Sequence, residues 1–138
     1  MGKRRKAREI VLQALYEAEF SDKSLEDIFG EQIARRDPGP ETAEHARKLF
    51  FTTMENLGEL DERIESSLEN WDMKRVALVD KNILRFALAE ILYFDDIPSK
   101  VIINEAIEIA HRYSSFDAGR FINGLLDRFT REYRKGVV

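Results

Sequence analysis

Five basic residues stand within the first eight positions of the chain, before any acidic residue: Lys3, Arg4, Arg5, Lys6 and Arg8. Guanidinium and ammonium groups held at helical spacing can bind phosphate groups, and Arg4 and Arg8 are four positions apart. The whole chain carries a formal net charge of -4, and without these five residues it has 17 basic against 26 acidic residues. The start of the chain is therefore a local exception in charge, and we predict an exposed phosphate-binding surface there.

The stretch HRYSSFDAGRFING interleaves basic and aromatic side chains around a predicted junction between two helices. These side chains are Arg112, Tyr113, Phe116, Arg120 and Phe121. Single-stranded nucleic acid is bound by cations that contact phosphates and by aromatic rings that stack on unpaired bases. The pattern favours such a role, although Phe121 also falls in the apolar stripe of the last predicted helix. Core packing is the simpler interpretation for Phe121, whereas Tyr113 and Phe116 fit either role.

Groups that could support catalysis are sparse. The chain has no cysteine, which excludes thiol chemistry and thiolate metal sites. Glu108 and His111 have the E-x-x-H spacing of helix-bundle di-iron sites, but the only other histidine, His45, follows Thr42 at that spacing. The two serines before the last predicted helix are interpreted as caps, and no glycine-rich phosphate-binding motif occurs. We therefore expect no enzyme activity, no catalytic residue, no metal and no cofactor.

Length and composition indicate a single globular domain over residues 1–138. The chain is 43% hydrophobic and 35% charged, which is enough to form a core and unlike a disordered chain. No apolar stretch is long enough to span a membrane, and the basic start does not lead into the apolar segment of a signal peptide. These features predict a cytoplasmic protein without a membrane partner.

Apolar residues recur with helical periodicity along most of the chain, and no strand pattern competes. Helices are predicted at about 4–20, from Leu25 to Ile33, at 46–68, at 78–94, at 101–113 after a boundary at Pro98 and Ser99, and from Phe121 to Tyr133. Two prolines around Gly39 indicate a loop at about 36–41. The predicted fold class is all-α, a compact bundle of six or more helices in two packed sub-bundles of about 1–70 and 73–135.

The segments VDKNILRFALAEI, IPSKVIINEAIEIA and FINGLLD, in this order and spacing, resemble the NusB family of transcription antitermination factors. The similarity extends over nearly the whole chain. It implies an all-helical, non-enzymatic RNA-binding protein that binds boxA-type single-stranded RNA of ribosomal RNA leaders. It also implies that the protein acts with NusE, a small-subunit ribosomal protein, in an antitermination complex on RNA polymerase.

The resemblance also implies which residues make the contacts. RNA-binding positions carried over from the family are Arg4, Arg5, Arg8, Tyr113, Asp117, Arg120 and Phe121, to which the charge and aromatic patterns add Lys3, Arg112 and Phe116. Tyr16 and Asp80 correspond to the surface that faces NusE, although Tyr16 fits a half-buried packing role equally well. Arg85, inside an apolar segment, is expected to pair with an internal acid.

Two alternative functions remain open at the level of sequence. In the first, the chain is a protein adaptor that binds no RNA. Its basic residues then form a solvent-exposed tail, and its aromatic residues belong to the hydrophobic core. In the second, it is a fragment of an RNA cytosine methyltransferase, because a related helical domain precedes the catalytic domain in those enzymes. A homodimer is also left open, as is the identity of the RNA bases that are read.

Overall fold

The structure, a computed structural model, describes residues 2–69 and 72–134, and this part of the chain is all-helical. The α-helices are α1 (Gly2–Phe20), α2 (Leu25–Arg36), α3 (Pro40–Glu55), α4 (Leu57–Ser66), α5 (Leu78–Tyr93), α6 (Ser99–Tyr113) and α7 (Phe116–Tyr133). A short 3-10 helix, Met73–Arg75, precedes α5. The prediction of an all-α fold with six or more helices is confirmed.

The loop between α2 and α3 is shorter than predicted and comprises residues 37–39. Asp37 ends α2 in the left-handed conformation, with φ 46°, and its N–H donates to the carbonyl of Ile33. Pro40 then occupies the first turn of α3. Proline is favoured there because its missing N–H would have no acceptor within the helix, and its fixed φ already suits the helix.

The single long helix predicted at 46–68 is wrong, because the chain breaks at Asn56 into α3 and α4. Asn56 has φ −114° and ψ 18°, and its side-chain Nδ2 donates to the carbonyl of Thr52 at 2.8 Å. An asparagine side chain that bonds to nearby backbone competes with helix continuation. The apolar stripe nevertheless stays in phase across the break, and its buried members are Ala46, Phe50, Thr53, Leu60 and Ile64.

Helix α5 lies at the centre of the fold and packs against α1, α3, α4, α6 and α7. Every residue from 82 to 91 is buried, as expected for a helix surrounded by others. Arg85, in this segment, donates to both carboxylate oxygens of Asp61 at 2.7 and 2.8 Å and to Asn82 Oδ1 at 2.9 Å. The predicted structural role of Arg85 is confirmed.

Two residues join α6 to α7, and both ends of α7 are fixed by specific hydrogen bonds. Ser115 Oγ accepts the N–H of Ala118 at 3.0 Å, which confirms the predicted cap. At the other end, the buried guanidinium of Arg134 donates to the carbonyls of Glu90, Ile91, Phe94 and Ile97. Arg134 thus binds four carbonyl oxygens at and just beyond the end of α5, two of which, those of Glu90 and Phe94, also accept backbone N–H groups.

The buried apolar residues of α1 to α3 and of α5 to α7 belong to one continuous cluster. The division into two sub-bundles therefore remains a prediction about how that single core is assembled. Among residues 2–69 and 72–134, no helix is both long enough and apolar enough to cross a bilayer.

Candidate nucleic-acid interface

Arg8 lies inside the fold, and its side chain is only 1% exposed. Its guanidinium donates to both carboxylate oxygens of Glu90 on α5, with Nε–Oε1 at 2.9 Å and Nη2–Oε2 at 2.7 Å. A charge this deeply buried needs a partner with good geometry. The prediction of an exposed basic cluster is therefore wrong for Arg8, which joins α1 to α5 and is not accessible to RNA.

His45 on α3 lies beside this pair, with Nε2 4.0 Å from Glu90 Oε2. Burial, assisted by the positive charges of Arg4 and Arg8, lowers the pKa of His45 to about 4. Burial also raises the pKa of Glu90, and the hydrogen bonds from Arg8 oppose that effect. Because His45 is neutral at physiological pH, Arg8 rather than His45 balances the charge of Glu90.

Arg5 is half-buried between α1 and α6. Its Nε and Nη2 each donate to one carboxylate oxygen of Glu105 at 2.8 Å, and this pairing lowers the pKa of Glu105. Arg5 thus connects residues 100 positions apart in sequence. Its first role in the structure is to attach the start of α1 to α6, and a contact between Arg5 and RNA stays a prediction.

Lys3, Arg4 and Lys6 are the exposed members of the basic cluster. Lys3 forms an ion pair with Glu41 at the start of α3, and Arg4 Nη2 lies 3.8 Å from Asp96 Oδ2. Ion pairs between such exposed side chains contribute little to stability, so a phosphate group can replace the carboxylate at small cost. These three side chains are available for the phosphate contacts that the sequence predicts.

Two ion pairs connect α1 to α6 on this side of the protein. Arg5 pairs with Glu105, and seven residues further along α6 Arg112 Nη1 donates to Glu9 Oε2 at 2.6 Å. At 1.5 Å per residue, Glu105 and Arg112 are about 10 Å apart along α6, and Arg5 and Glu9 are about 6 Å apart along α1. We call the surface along them the α1–α6 strip and define it by Lys3, Arg4, Arg5, Lys6 and Arg112. It places bases from both ends of the sequence on one side of the fold.

The α6–α7 junction continues the strip beyond Arg112. Tyr113 is 37% exposed, and Phe116, the first residue of α7, is 74% exposed. Arg120 follows one turn after Phe116 and is also exposed. Both aromatic residues whose role the sequence left undecided are thus at the surface rather than in the core.

Phe121 is partly buried against the core and lines a cleft of about 290 Å³ together with Asp117, Asp80 and Arg75. Asp80 Oδ1 is buried and has no hydrogen-bond partner within residues 2–69 and 72–134. The resemblance implies that Asp80 faces NusE and that Asp117 and Phe121 contact RNA. The structure places all three side chains around one cleft.

Tyr16 lies on α1 seven residues beyond Glu9, or about 10 Å further along the helix. Its side chain is 47% exposed, and its ring centroid is 5.3 Å from that of Phe20. Of the two roles that the sequence left open for Tyr16, the exposure is compatible with a partner contact. That contact stays a prediction.

The E-x-x-H pair does not form part of a metal centre in the described structure. Among residues 2–69 and 72–134, no group of three or more His, Cys, Asp or Glu side chains is placed to hold a metal ion. The ring of His111 instead packs against Phe116, with centroids 4.4 Å apart. His111 therefore belongs to the surroundings of the junction.

Comparison with known proteins gives a family for this arrangement. The model of the NusB family matches residues 5–131. This chain belongs to the NusB family. Two relatives are named transcription antitermination protein NusB. The one from Chloroherpeton thalassium is 39% identical over 98% of this chain, and the one from Salinibacter ruber is 41% identical over 92%. The chain spans 65% of the first relative and 80% of the second.

Solved NusB structures share the fold. NusB from T. maritima is 41% identical, with a TM-score of 0.87 over 94% of this chain and 92% of that chain. A crystal structure of antitermination factors NusB and NusE in complex with dsRNA is 25% identical. It has a TM-score of 0.87 over 96% of this chain and 99% of that chain.

Two residues at this surface were not predicted as site residues. Lys6 was counted in the basic cluster but not assigned a contact, and its place between Arg5 and Ala7 was the available signal. His111 was considered only as a metal ligand. Its contact with Phe116, five residues later, depends on how α6 and α7 fold back on each other, which the local sequence does not specify.

Proposed function

We propose that this chain is a NusB-type transcription antitermination factor that binds boxA-type single-stranded RNA of ribosomal RNA leaders. In this proposal it acts without catalysis, together with NusE, in an antitermination complex on RNA polymerase. The observation that carries the proposal is the α1–α6 strip, which ends at the exposed aromatic residues of the α6–α7 junction. Cations followed by accessible rings fit a single strand whose bases are unpaired. The NusB–NusE–dsRNA structure supports an RNA ligand and a NusE partner.

The proposed RNA contacts follow the strip. Lys3, Arg4 and Lys6 contact phosphates near the start of α6, and Arg112 and Arg120 do so near its end. Tyr113 and Phe116 contact bases, while Arg5, Asp117 and Phe121 lie along the same path. Arg8 is excluded from this set because it is buried.

The proposed NusE surface includes Tyr16 and Asp80. Tyr16 offers an exposed ring beyond the end of the strip, and Asp80 offers a partly exposed acidic side chain in the first turn of α5. A basic side chain of the partner would pair with this carboxylate. Asp80 shares its cleft with Phe121, so this surface adjoins the RNA path.

The test is a titration of labelled boxA-type RNA with the protein alone and with NusE, beside a scrambled RNA of equal length. Arg4→Glu combined with Lys6→Glu should weaken binding strongly. If about four phosphates are contacted, log affinity should fall by about 3 per tenfold rise in salt, and the variant should show a shallower slope. Lys23→Glu combined with Arg131→Glu is the matched control, because it makes the same change in charge at two exposed positions, one beyond the end of α1 and one in the last turn of α7.

The pure adaptor is the rival that one observation favours: Lys3, Arg4 and Arg5 each have an acidic partner within the protein. An adaptor would bind NusE but no RNA, even at low salt. Binding of RNA that responds equally to the Lys23/Arg131 and Arg4/Lys6 variants would also contradict the proposed path.

A further inference from the structure

Phe116 presents an unusually exposed ring at a fixed place in the fold. It is the first residue of α7, directly after the Ser115 cap, and 74% of its surface is accessible. One side of the ring packs against the imidazole of His111, with the centroids 4.4 Å apart and the planes at 46°. The ring is therefore supported from within the protein, while most of its surface stays open to solvent.

Gly119 provides the space for this support. A Cβ atom at Gly119 would lie 2.5 Å from His111 Nε2, well inside van der Waals contact. The imidazole therefore lies directly on the backbone of α7, one turn from the ring that it supports. Because His111 has α7 on one side and Phe116 on another, the orientation of Phe116 depends on both.

Positive charge flanks the supported ring. Arg120 is four residues after Phe116, which places these two side chains on the same side of α7, and Arg112 lies just before the junction at the end of α6. An accessible aromatic ring with an arginine on either side matches the repeat of a nucleic-acid strand, in which each nucleobase is flanked by phosphates. A docking site for an apolar protein segment would not need this pair of charges.

We propose that Phe116, positioned by His111 and Gly119, is a stacking platform for one unpaired nucleobase, with Arg112 and Arg120 contacting the adjacent phosphates. The proposal rests on the proposed RNA binding and deepens it. It assigns a base-binding role to one ring and a positioning role to His111, which the family resemblance does not supply.

The experiment uses the full chain and single-stranded boxA-type RNA that carries 2-aminopurine at one position at a time. Stacking on the Phe116 ring should change the fluorescence at one position only. Phe116→Ala should abolish that change and weaken binding by about 5- to 150-fold, whereas Phe116→Trp should retain binding. Phe20→Ala is the control, because Phe20 is similarly exposed, at 71%, but lies at the far end of α1.

The same RNA with the responsive nucleotide made abasic completes the test. If the ring stacks on that base, Phe116→Ala should have no further effect on binding of the abasic RNA. Gly119→Ala should reduce the fluorescence change in the wild-type background, because the added methyl group displaces His111. In a His111→Ala background the same substitution should have no further effect.

The outcomes separate this proposal from the one on which it rests. If the wild-type protein binds no boxA-type RNA, both fail. If it binds RNA but Phe116→Ala binds equally well, or loses the same factor on intact and abasic RNA, the platform alone is refuted. Loss of NusE binding with unchanged RNA binding would assign Phe116 to a protein contact and would also refute it.

Discussion

Arg8 and Glu90 are almost completely buried, and they bind each other through two parallel hydrogen bonds between α1 and α5. Removing one partner leaves the other charge unpaired in an apolar environment. We therefore predict that Arg8→Met lowers the free energy of unfolding by about 3–5 kcal/mol, measured by urea denaturation.

Arg4→Met is the matched control for this prediction, because Arg4 is exposed and its nearest carboxylate oxygen is 3.8 Å away. It should change stability by no more than about 0.5 kcal/mol. The double variant Arg8→Met/Glu90→Leu should recover much of the loss, since no unpaired charge remains. Equal stability of Arg8→Met and Arg4→Met would show that the buried pair does not hold α1 to α5.

Glu41 and Asp96 compete with RNA for the exposed bases of the α1–α6 strip, since they pair with Lys3 and Arg4. Neutralising both acids by Glu41→Gln and Asp96→Asn removes that competition. We predict that RNA affinity at low salt rises by about 2- to 5-fold in a fluorescence anisotropy titration. Asp22→Asn, which removes an acid beyond the opposite end of α1, should leave the affinity unchanged. An equal rise in the Asp22 variant would indicate a general effect of net charge.

The residue scale is also where sequence reasoning was least complete. Arg8 stands four positions before Leu12, which is buried, and Glu90 stands inside the apolar segment FALAEIL. Each position suggests a buried charge. Arg8 and Glu90 are 82 positions apart in sequence. Their pairing depends on how α1 packs against α5, and the periodicity of apolar residues does not specify that packing.

At the scale of helices, the apolar stripes predicted most of the elements, because each stripe must face the core. Breaks without a proline were harder to predict. The apolar residues of α3 and α4 keep the same helical spacing on both sides of Asn56, so the spacing of apolar residues does not reveal the break. At the α6–α7 junction the cap at Ser115 was predicted from its residue type, but the apolar stripe placed the start of the last helix at Phe121, five residues after its start at Phe116 in the structure.

The Ser115 cap gives the prediction for this scale. Its Oγ accepts the N–H of Ala118, so Ser115→Ala leaves a donor in the first turn of α7 without that partner. We predict a loss of about 1 kcal/mol in the free energy of unfolding, and Ser115→Asp should retain most of the stability. Urea denaturation of the three proteins would measure it. If alanine and aspartate are equally stable here, the cap does not stabilise α7.

At the scale of the whole molecule, α1 connects the two proposed ligand surfaces. Its first turns carry the basic side chains that are proposed to contact RNA, and Tyr16 lies about 10 Å beyond Glu9 on the same helix. If NusE tightens RNA binding, RNA must tighten NusE binding by the same factor, typically about 5- to 150-fold. We predict such reciprocal coupling, measured by calorimetry with each ligand in the presence and absence of the other.

Asp80→Asn tests the route of this coupling, because Asp80 lies in the cleft beside Phe121. The variant should weaken NusE binding and reduce the gain in RNA affinity that NusE confers, while RNA binding by the protein alone is retained. Glu31→Gln, which removes an exposed acid on α2, should change neither binding constant. Affinities that do not depend on the other ligand would mean two independent sites.

The ion pairs of α1 also set an order of events during synthesis. The basic residues Lys3, Arg4, Arg5 and Arg8 are synthesised before their partners, which follow at residues 41, 96, 105 and 90. At about 5–20 residues per second, Arg5 is made about 5–20 s before Glu105. During that interval the nascent chain exposes a cationic segment that the finished protein largely neutralises. Folding of α1 onto its partners is therefore the step that buries the charge of Arg8 and pairs that of Arg5, while Lys3, Arg4 and Lys6 stay at the surface.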